Sequence, residues 1–320
     1  MIKSKSLNPK KIMILVGLAV ITAILYQFLF VNMKFFDYAM KIRTPKLIVM
    51  MLTAFCIGSA SIVFQSLINN TIVTPCLLGM NSLYILVHTV VVFVLGSTSV
   101  LVTTKLFSFS LDLAIMALAA VTIYGVLFKK TKGNVLYILL AGSVMATFFS
   151  SITSTLQRIM DPNEYDTLQN ALIASFHKVN SEIIIFAVIG ILAVIVFLRK
   201  DLALLDVITL GKDQAVNLGV DYDRTVRRLL IGVTLYIAIA TALVGPISFL
   251  GLVVANLSRQ LMKSYKHTYL IAASTLIGTV MLLGGQALIE RMFHFSTNIS
   301  VFINVGGGIY FLYLILRSRR

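Results

Sequence analysis

The sequence predicts an all-α polytopic membrane protein, a bundle of about ten transmembrane helices that forms a single domain over residues 1–320. Hydrophobic residues make up 58% of the chain, charged residues only 12%, and the mean hydropathy is +0.95. A soluble domain of this length could not bury so much apolar surface, so the solvent around the chain is lipid. Because backbone groups in lipid must be hydrogen-bonded within their own segment, the spans are helices.

Ten apolar segments, most of them near the length that crosses a bilayer, follow one another along the chain. The eighth is short and depends on a break at Gly245-Pro246, since a proline ends the hydrogen-bond ladder that it enters. If this proline only kinks the helix, the chain has nine spans. The first segment is too long for a signal peptide and lacks a small-residue cleavage site, so we expect it to be a retained span. The predicted spans are 12–31, 46–68, 79–96, 107–128, 134–157, 182–198, 229–246, 249–260, 268–288 and 299–317.

The distribution of basic residues predicts that both termini lie in the cytosol. With the N-terminus inside, 19 of the 27 basic residues fall on the cytosolic side and eight fall outside. This is the bias that orients membrane proteins. It also accounts for the net charge of +15 without a nucleic-acid partner, because the basic residues are scattered between spans and form no patch.

One long cytosolic loop, Arg199–Arg228, holds 11 of the 39 charged residues. Its centre predicts a two-turn helix, with Gly211 as N-cap, Asp213 near the positive end of the helix dipole and Gly219 at the left-handed C′ position. A helix this short is marginal by itself in water. It must therefore pack on the ends of its own bundle or on a separate protein.

Two outside segments stand out. Between the first two spans lie four basic residues and only one acidic residue, which suits either a partner with acidic groups or interfacial snorkelling. Farther along, Tyr165–Phe176 has the spacing of a short amphipathic helix, with Leu168, Leu172 and Phe176 on one side. This helix could serve as an outer gate or be an ordinary interfacial helix, which we favour.

No catalytic or metal site is predicted. Cys56 and Cys76 have no partner at metal or redox spacing, and the histidines are dispersed without an HExxH motif. Asp112 and His88 are intramembrane polar residues, which are costly enough to raise the question of function. We interpret them as structural, since nothing in the sequence places this Asp and this His close together.

Several motifs in order resemble one family, the FecCD-like permease subunits of type II ABC importers for iron-siderophores, haem and cobalamin. Each motif alone is weak, but their order and spacing over nearly the whole chain are specific. The matching elements are RTPK at 43–46 for the family's R-x-P-R, NNTIVTPCLLG at 69–79, LAG at 140–142, the loop from Leu210 to Val220 and GPISFLGLVV at 245–254.

The resemblance implies a transport subunit that binds no cofactor directly, with ATP and Mg on a partner ATPase dimer in the bacterial plasma membrane. It implies two contact surfaces and a helix break that acts as a gate. The ATPase-coupling residues would be Gly211, Asp213, Ala215, Leu218, Gly219 and Val220. Docking of an extracytoplasmic siderophore-binding protein would use Arg43, Lys46 and Arg291. The break and gate would involve Gly245, Pro246 and Gly251.

The chain departs from the family pattern at several positions. Lys46 replaces the second arginine of R-x-P-R, and Ala255-Asn256 stands where Pro-His is usual. Such departures suit one half of a heterodimeric permease pair, and similar variants occur in the catecholate-siderophore branch. The alternative function is a self-contained ten-span secondary transporter, which often has an internal repeat. No motif is shared between 1–157 and 182–320.

Overall fold

The computed structural model describes residues 7–29, 33–97, 99, 104–130, 135–176, 181–293 and 297–318, which are mostly helical and include no strand. Short 3₁₀ turns lie at Met33–Phe35 and Pro75–Leu78. The fourth helix, α4, contains a π-helical turn at Ala120–Tyr124 between Lys105–Ala119 and Gly125–Lys130. The other helices are α1 Leu7–Phe28, α2 Phe36–Ile68, α3 Met80–Leu95, α5 Val135–Ile159, α6 Pro162–Leu172, α7 Ser181–Ile208, α8 Lys212–Asn217, α9 Tyr222–Val244, α10 Leu250–Met262, α11 His267–Met292 and α12 Ile299–Ser318.

Each of the ten predicted spans corresponds to a helix. Eight described helices are long and apolar enough to cross a membrane, and α3 is a shorter apolar helix. The eighth predicted span corresponds to α10, which is separated from α9 by the non-helical segment 245–249. Pro246 therefore lies in a break between two helices and not in a kinked helix, as the prediction of ten spans expects, although α10, at 13 residues, is shorter than a helix that crosses a bilayer.

The bundle is organised around α2, which packs against α11 and α9 and is buried over most of its length. Small residues let these helices approach closely, as is common in membranes. A Cβ added at Gly58 would lie 3.0 Å from Ser274 Oγ, and one at Gly278 would lie 3.1 Å from Ala54 Cβ. The core of the molecule is thus the contact between α2 and its two neighbours.

Two helices extend beyond the predicted spans. α2 begins at Phe36, ten residues before the predicted start, and contains Pro45. α7 continues to Ile208, ten residues past the predicted end. The first part of the charged loop is therefore helix, because charged residues on a helix that leaves the membrane are solvated and do not end it.

The outer amphipathic helix is shorter than predicted. α6 begins at Pro162, capped by Asp161, whose side chain accepts a hydrogen bond from Asn163 N. It ends at Leu172, four residues early, where the chain turns to an extended conformation. Ser175 N donates to Val244 O at the end of α9, so the end of this segment is held at the helix break. The three apolar residues assigned to one side, Leu168, Leu172 and Phe176, are all buried.

Candidate functional site

The short helix α8 has the two glycines where its geometry requires them. Gly211 has φ +102° and its carbonyl accepts from Ala215 N at 3.0 Å. Gly219 has φ +81°, its N–H donates to Val216 O, and Val220 N donates to Ala215 O. These two bonds form a Schellman motif, which closes the helix on a left-handed residue. The predicted short helix between two glycines is confirmed.

One side of α8 is buried against the rest of the chain, and the other side is exposed. Ala215 is fully buried, and Val220 is half-buried. Val216 and Leu218 are 52% and 63% exposed. Ala215 therefore points into its own bundle and cannot be an outward contact residue as expected from the sequence. The outward apolar pair is Val216 and Leu218, while Asp213 is exposed beside it.

An ion pair fastens α8 to the start of α9. Lys212 Nζ donates to both carboxylate oxygens of Asp223 at 3.0 Å and lies 5.9 Å from the centre of the Tyr222 ring. Asp221 caps α9 by accepting from Arg224 N at 3.1 Å. Through these contacts, a displacement of α8 would also move the first turn of α9.

A largely buried polar network joins four helices at the same end of the bundle as α8. The carboxylate of Asp206, near the end of α7, accepts from His267 N at the start of α11 and also contacts His267 Nδ1. The other ring nitrogen, Nε2, lies 2.8 Å from Ser66 Oγ on α2. Arg259 of α10 donates to the same hydroxyl at 2.8 Å. Sequence reasoning missed this network because its members are far apart in the chain.

At the end of the bundle opposite α8, Arg43 covers the last turn of α1. Its Nη1 donates to the carbonyls of Tyr26, Gln27 and Leu29 at 2.9–3.2 Å. These carbonyls have no partner within the helix, so the guanidinium serves as a C-terminal cap. Arg291 is exposed and its Nη2 lies 3.4 Å from Leu29 O. The structure therefore brings two of the three basic residues that the resemblance selects to the end of α1.

Lys46 has a different environment from the docking role expected of it. The residue is 8% exposed, and its Nζ lies 4.0 Å from Glu290 Oε1. The same carboxylate accepts from the Tyr26 hydroxyl at 3.3 Å and from Gln286 Nε2 at 3.0 Å. An enclosed ammonium of this kind is not available to a partner protein in this conformation.

The break between α9 and α10 is tightly packed. Gly245 has φ +89°, and a Cβ there would lie 2.9 Å from Ala174 Cα. A Cβ on Gly251 would lie 2.1 Å from Ser61 Oγ. The Cys76 thiol lies 3.5 Å from Ser248 O as a donor, and burial raises the pKa of this thiol to about 11, which keeps it protonated. In this conformation two of the predicted gate residues, Gly245 and Gly251, are each in close contact with a neighbouring residue.

One polar feature of α5 had been missed in the sequence. Hydroxyl residues at Ser143, Thr147, Ser151 and Thr155 repeat every four positions, and each bonds a carbonyl one turn earlier. The last three are exposed. The hydroxyl hydrogens are satisfied within α5, and a row of small hydroxyl residues on an exposed face suits packing against another helix.

No group of three potential metal ligands is found in the described residues. The two intramembrane polar candidates are partners of each other, since His88 Nδ1 lies 3.1 Å from Asp112 Oδ1. Their contact joins α3 to α4. The structure thus brings together two residues whose proximity the sequence does not show.

Comparison with known proteins identifies the family. A model described as "FecCD transport family" matches residues 12–317. The chain is 41% identical over 313 residues to a petrobactin import system permease protein of Bacillus subtilis (strain 168), covering 98% of this chain and 99% of that relative. It is 34% identical over 281 residues to a petrobactin import system permease protein of Bacillus anthracis, covering 87% of this chain and 79% of the relative.

A solved structure shares the fold. It is described as an inward-facing conformation of a metal-chelate type ABC transporter, and the TM-score is 0.78 at 22% identity, over 97% of this chain and 99% of that one. The relatives are permease subunits, and the apolar helices make this chain a multi-pass membrane protein. The resemblance inferred from the motifs is thereby confirmed: the chain belongs to the FecCD transport family.

Proposed function

We propose that this chain is the membrane permease subunit of an ATP-driven importer that carries an iron-siderophore complex into the cytoplasm. The observation that carries the proposal is the 41% identity, over 98% of the chain, to a petrobactin import permease. Relatives named for hydroxamate or hemin import are less similar, at 29% and 26% identity. Ferric petrobactin is therefore the first cargo to test.

Uptake of radioactive iron by cells tests this cargo. Cells lacking the chain should lose uptake from ferric petrobactin and regain it when the chain is restored, whereas uptake from a ferric hydroxamate should not change. Equal loss from both chelates would contradict the assignment of a petrobactin-type cargo. No change in either would contradict the importer function.

Coupling to a separate ATPase dimer, which would hold ATP and Mg, is proposed at α8. The support is local: the helix is fixed by two glycines and an ion pair, and it presents Val216 and Leu218 to the cytosol. A photoreactive residue at Val216 should capture the ATPase in membranes, whereas one at Ala215 should react only within the chain. Absence of the ATPase from the Val216 product would refute this contact.

The transport path is proposed to run between this chain and a second permease, with a different chain favoured over a second copy. The exposed hydroxyl row of α5 supports the path, because a chelate rich in oxygen atoms needs a polar wall. Cysteines at Ser151 should crosslink to the second permease, and the product's mass separates a heterodimer from a homodimer. Labelling of Ser151→Cys by lipid-soluble reagents alone would argue against the interface.

Docking of an extracytoplasmic siderophore-binding protein is proposed at Arg291, with Arg43 beside it. Both termini would lie in the cytosol of a bacterial plasma membrane. The basic residues favour this orientation, since Lys11, Arg259 and Lys263 lie at the end of the bundle that carries α8.

A further inference from the structure

A cavity of about 750 Å³ opens on the half of the bundle that carries α8, and its lining includes His267 of the polar network described above. Its walls are α1 and α7, and its floor is formed by α2 and α11, which pack against each other. α1 packs mainly on α11, and α7 packs mainly on α9, which leaves a gap between these two helices. The volume is within the range of about 300–1,000 Å³ that is typical of ligand sites.

The deep part of this cavity is apolar. It is lined there by Val16, Phe55, Ile195 and Leu276 and by the Tyr236 ring. The Thr275 hydroxyl, which also lines the cavity, donates to Ile271 O within its own helix, so the lining here is chiefly apolar. The chemistry that fits it is a hydrocarbon chain, which gains free energy from contact with such walls.

The cytosolic part holds two polar groups without a partner. Arg199 is an exposed cation on the lining, and no hydrogen bond or ion pair to it is seen among the described residues. Ser59 also lines the cavity, and its hydroxyl is buried without a hydrogen-bond partner in the described part of the chain. A buried hydroxyl left unpaired has a free-energy cost, which a ligand's oxygen atom would remove.

Arg199 and Ser59 lie at about the same depth in the membrane. The contacts of His267 with Asp206 and Ser66 fix the register of α7, α11 and α2 at the cytosolic end. Seven residues farther into the membrane on α7 and on α2 come Arg199 and Ser59, which is a rise of about 10 Å. Arg199 follows directly on the apolar span of α7, so this depth is the boundary between hydrocarbon and headgroups.

We propose that this cavity is a binding site for an anionic phospholipid of the cytoplasmic leaflet. Its phosphate would pair with Arg199, an oxygen of its glycerol region would bond the Ser59 hydroxyl, and one acyl chain would fill the deep part between α1 and α7. Basic pockets between transmembrane helices on the cytosolic side are suited to such headgroups. The assignment to the cytoplasmic leaflet rests on the orientation proposed above, with both termini in the cytosol, and does not depend on the cargo.

The test is lipid retention by the full-length chain, together with any subunits that co-purify. The protein is reconstituted in vesicles of equal phosphatidylglycerol and phosphatidylcholine, extracted in mild detergent, and its bound lipid is identified by mass spectrometry. The wild type should retain phosphatidylglycerol in excess. Arg199→Gln should reduce that excess about five-fold, the effect of one basic residue at a membrane surface.

Two further variants make the test specific. Lys200→Gln removes a neighbouring exposed charge that does not line the cavity, so it should leave retention unchanged. Ala272→Phe, on the lining, should exclude both lipids by filling the space while the protein still reaches the membrane. Equal retention by wild type and Arg199→Gln, equal loss in Lys200→Gln, or displacement of the bound lipid by inorganic phosphate would each overturn the proposal.

Discussion

Lys46 and Glu290 bring opposite charges together at the outer end of the bundle, where both side chains are nearly enclosed. Their side chains are 10% and 8% exposed, and Tyr26 and Gln286 also bond the carboxylate. Enclosed ions are stable only while they are paired, because removing one partner leaves an uncompensated charge. At this position a lysine therefore has a structural reason to be present that does not depend on any partner protein.

Replacing Lys46 by methionine should destabilise the protein by about 3 kcal/mol, since Glu290 is left without its cation. The apparent melting temperature in detergent measures this loss. Arg291→Met removes an exposed charge nearby and should shift the melting temperature little. The double variant Lys46→Met with Glu290→Gln should recover most of the stability, and failure to recover would show that the ion pair is not the cause.

Gly245 combines a left-handed backbone conformation with a close backbone neighbour. Its φ of +89° and the 2.9 Å approach of Ala174 Cα both exclude a Cβ. We expect Gly245→Ala to lower the melting temperature strongly, by the equivalent of about 1–3 kcal/mol. Gly284→Ala provides the control, because that glycine is within α11 and has open space around it. Similar melting temperatures for both variants would contradict the tight packing of the break.

For the helices, the sequence predicts which segments are helical better than it predicts where each helix begins and ends. Hydropathy locates all ten spans, and the two glycines locate α8, because each signal is local. The cytosolic end of α7 and the outer end of α2 were missed, since a hydropathy window stops at charged residues that a solvated helix can carry. The partners of Asp206 and Lys46 were missed for another reason: they are distant in sequence and no local pattern joins them.

The outward side of α8 yields a prediction about coupling. Leu218 is 63% exposed, so Leu218→Asp should leave the fold intact but place a charge where an apolar partner surface is proposed. We expect iron uptake to fall at least ten-fold while the chain still reaches the membrane. Leu218→Met keeps the apolar surface and should transport normally. Normal uptake by Leu218→Asp would show that this side chain is not at the contact.

The whole molecule separates its two proposed partners by the thickness of the membrane. The α8 helix and the network around His267 lie at one end, and Arg43, Arg291 and the enclosed pair of Lys46 and Glu290 lie at the other. Between them, α2 and α11 run the full distance and pack on each other through small residues. These two helices are therefore a continuous packed connection between the two ends.

This separation allows a charge-matched test of binding-protein docking. Arg291→Glu should slow association with the binding protein up to about five-fold at low salt, since exposed charge pairs act mainly on association rate and contribute at most about 1 kcal/mol. Lys263→Glu makes the same change in net charge at the opposite end, on an exposed residue, and should have no effect. Surface-based kinetics with the permease in nanodiscs measures both rates. The difference between the variants should vanish at high salt, because screening removes attraction between exposed charges. Equal slowing by both variants would mean that net charge alone steers the encounter, and no slowing by either would rule out docking at Arg291.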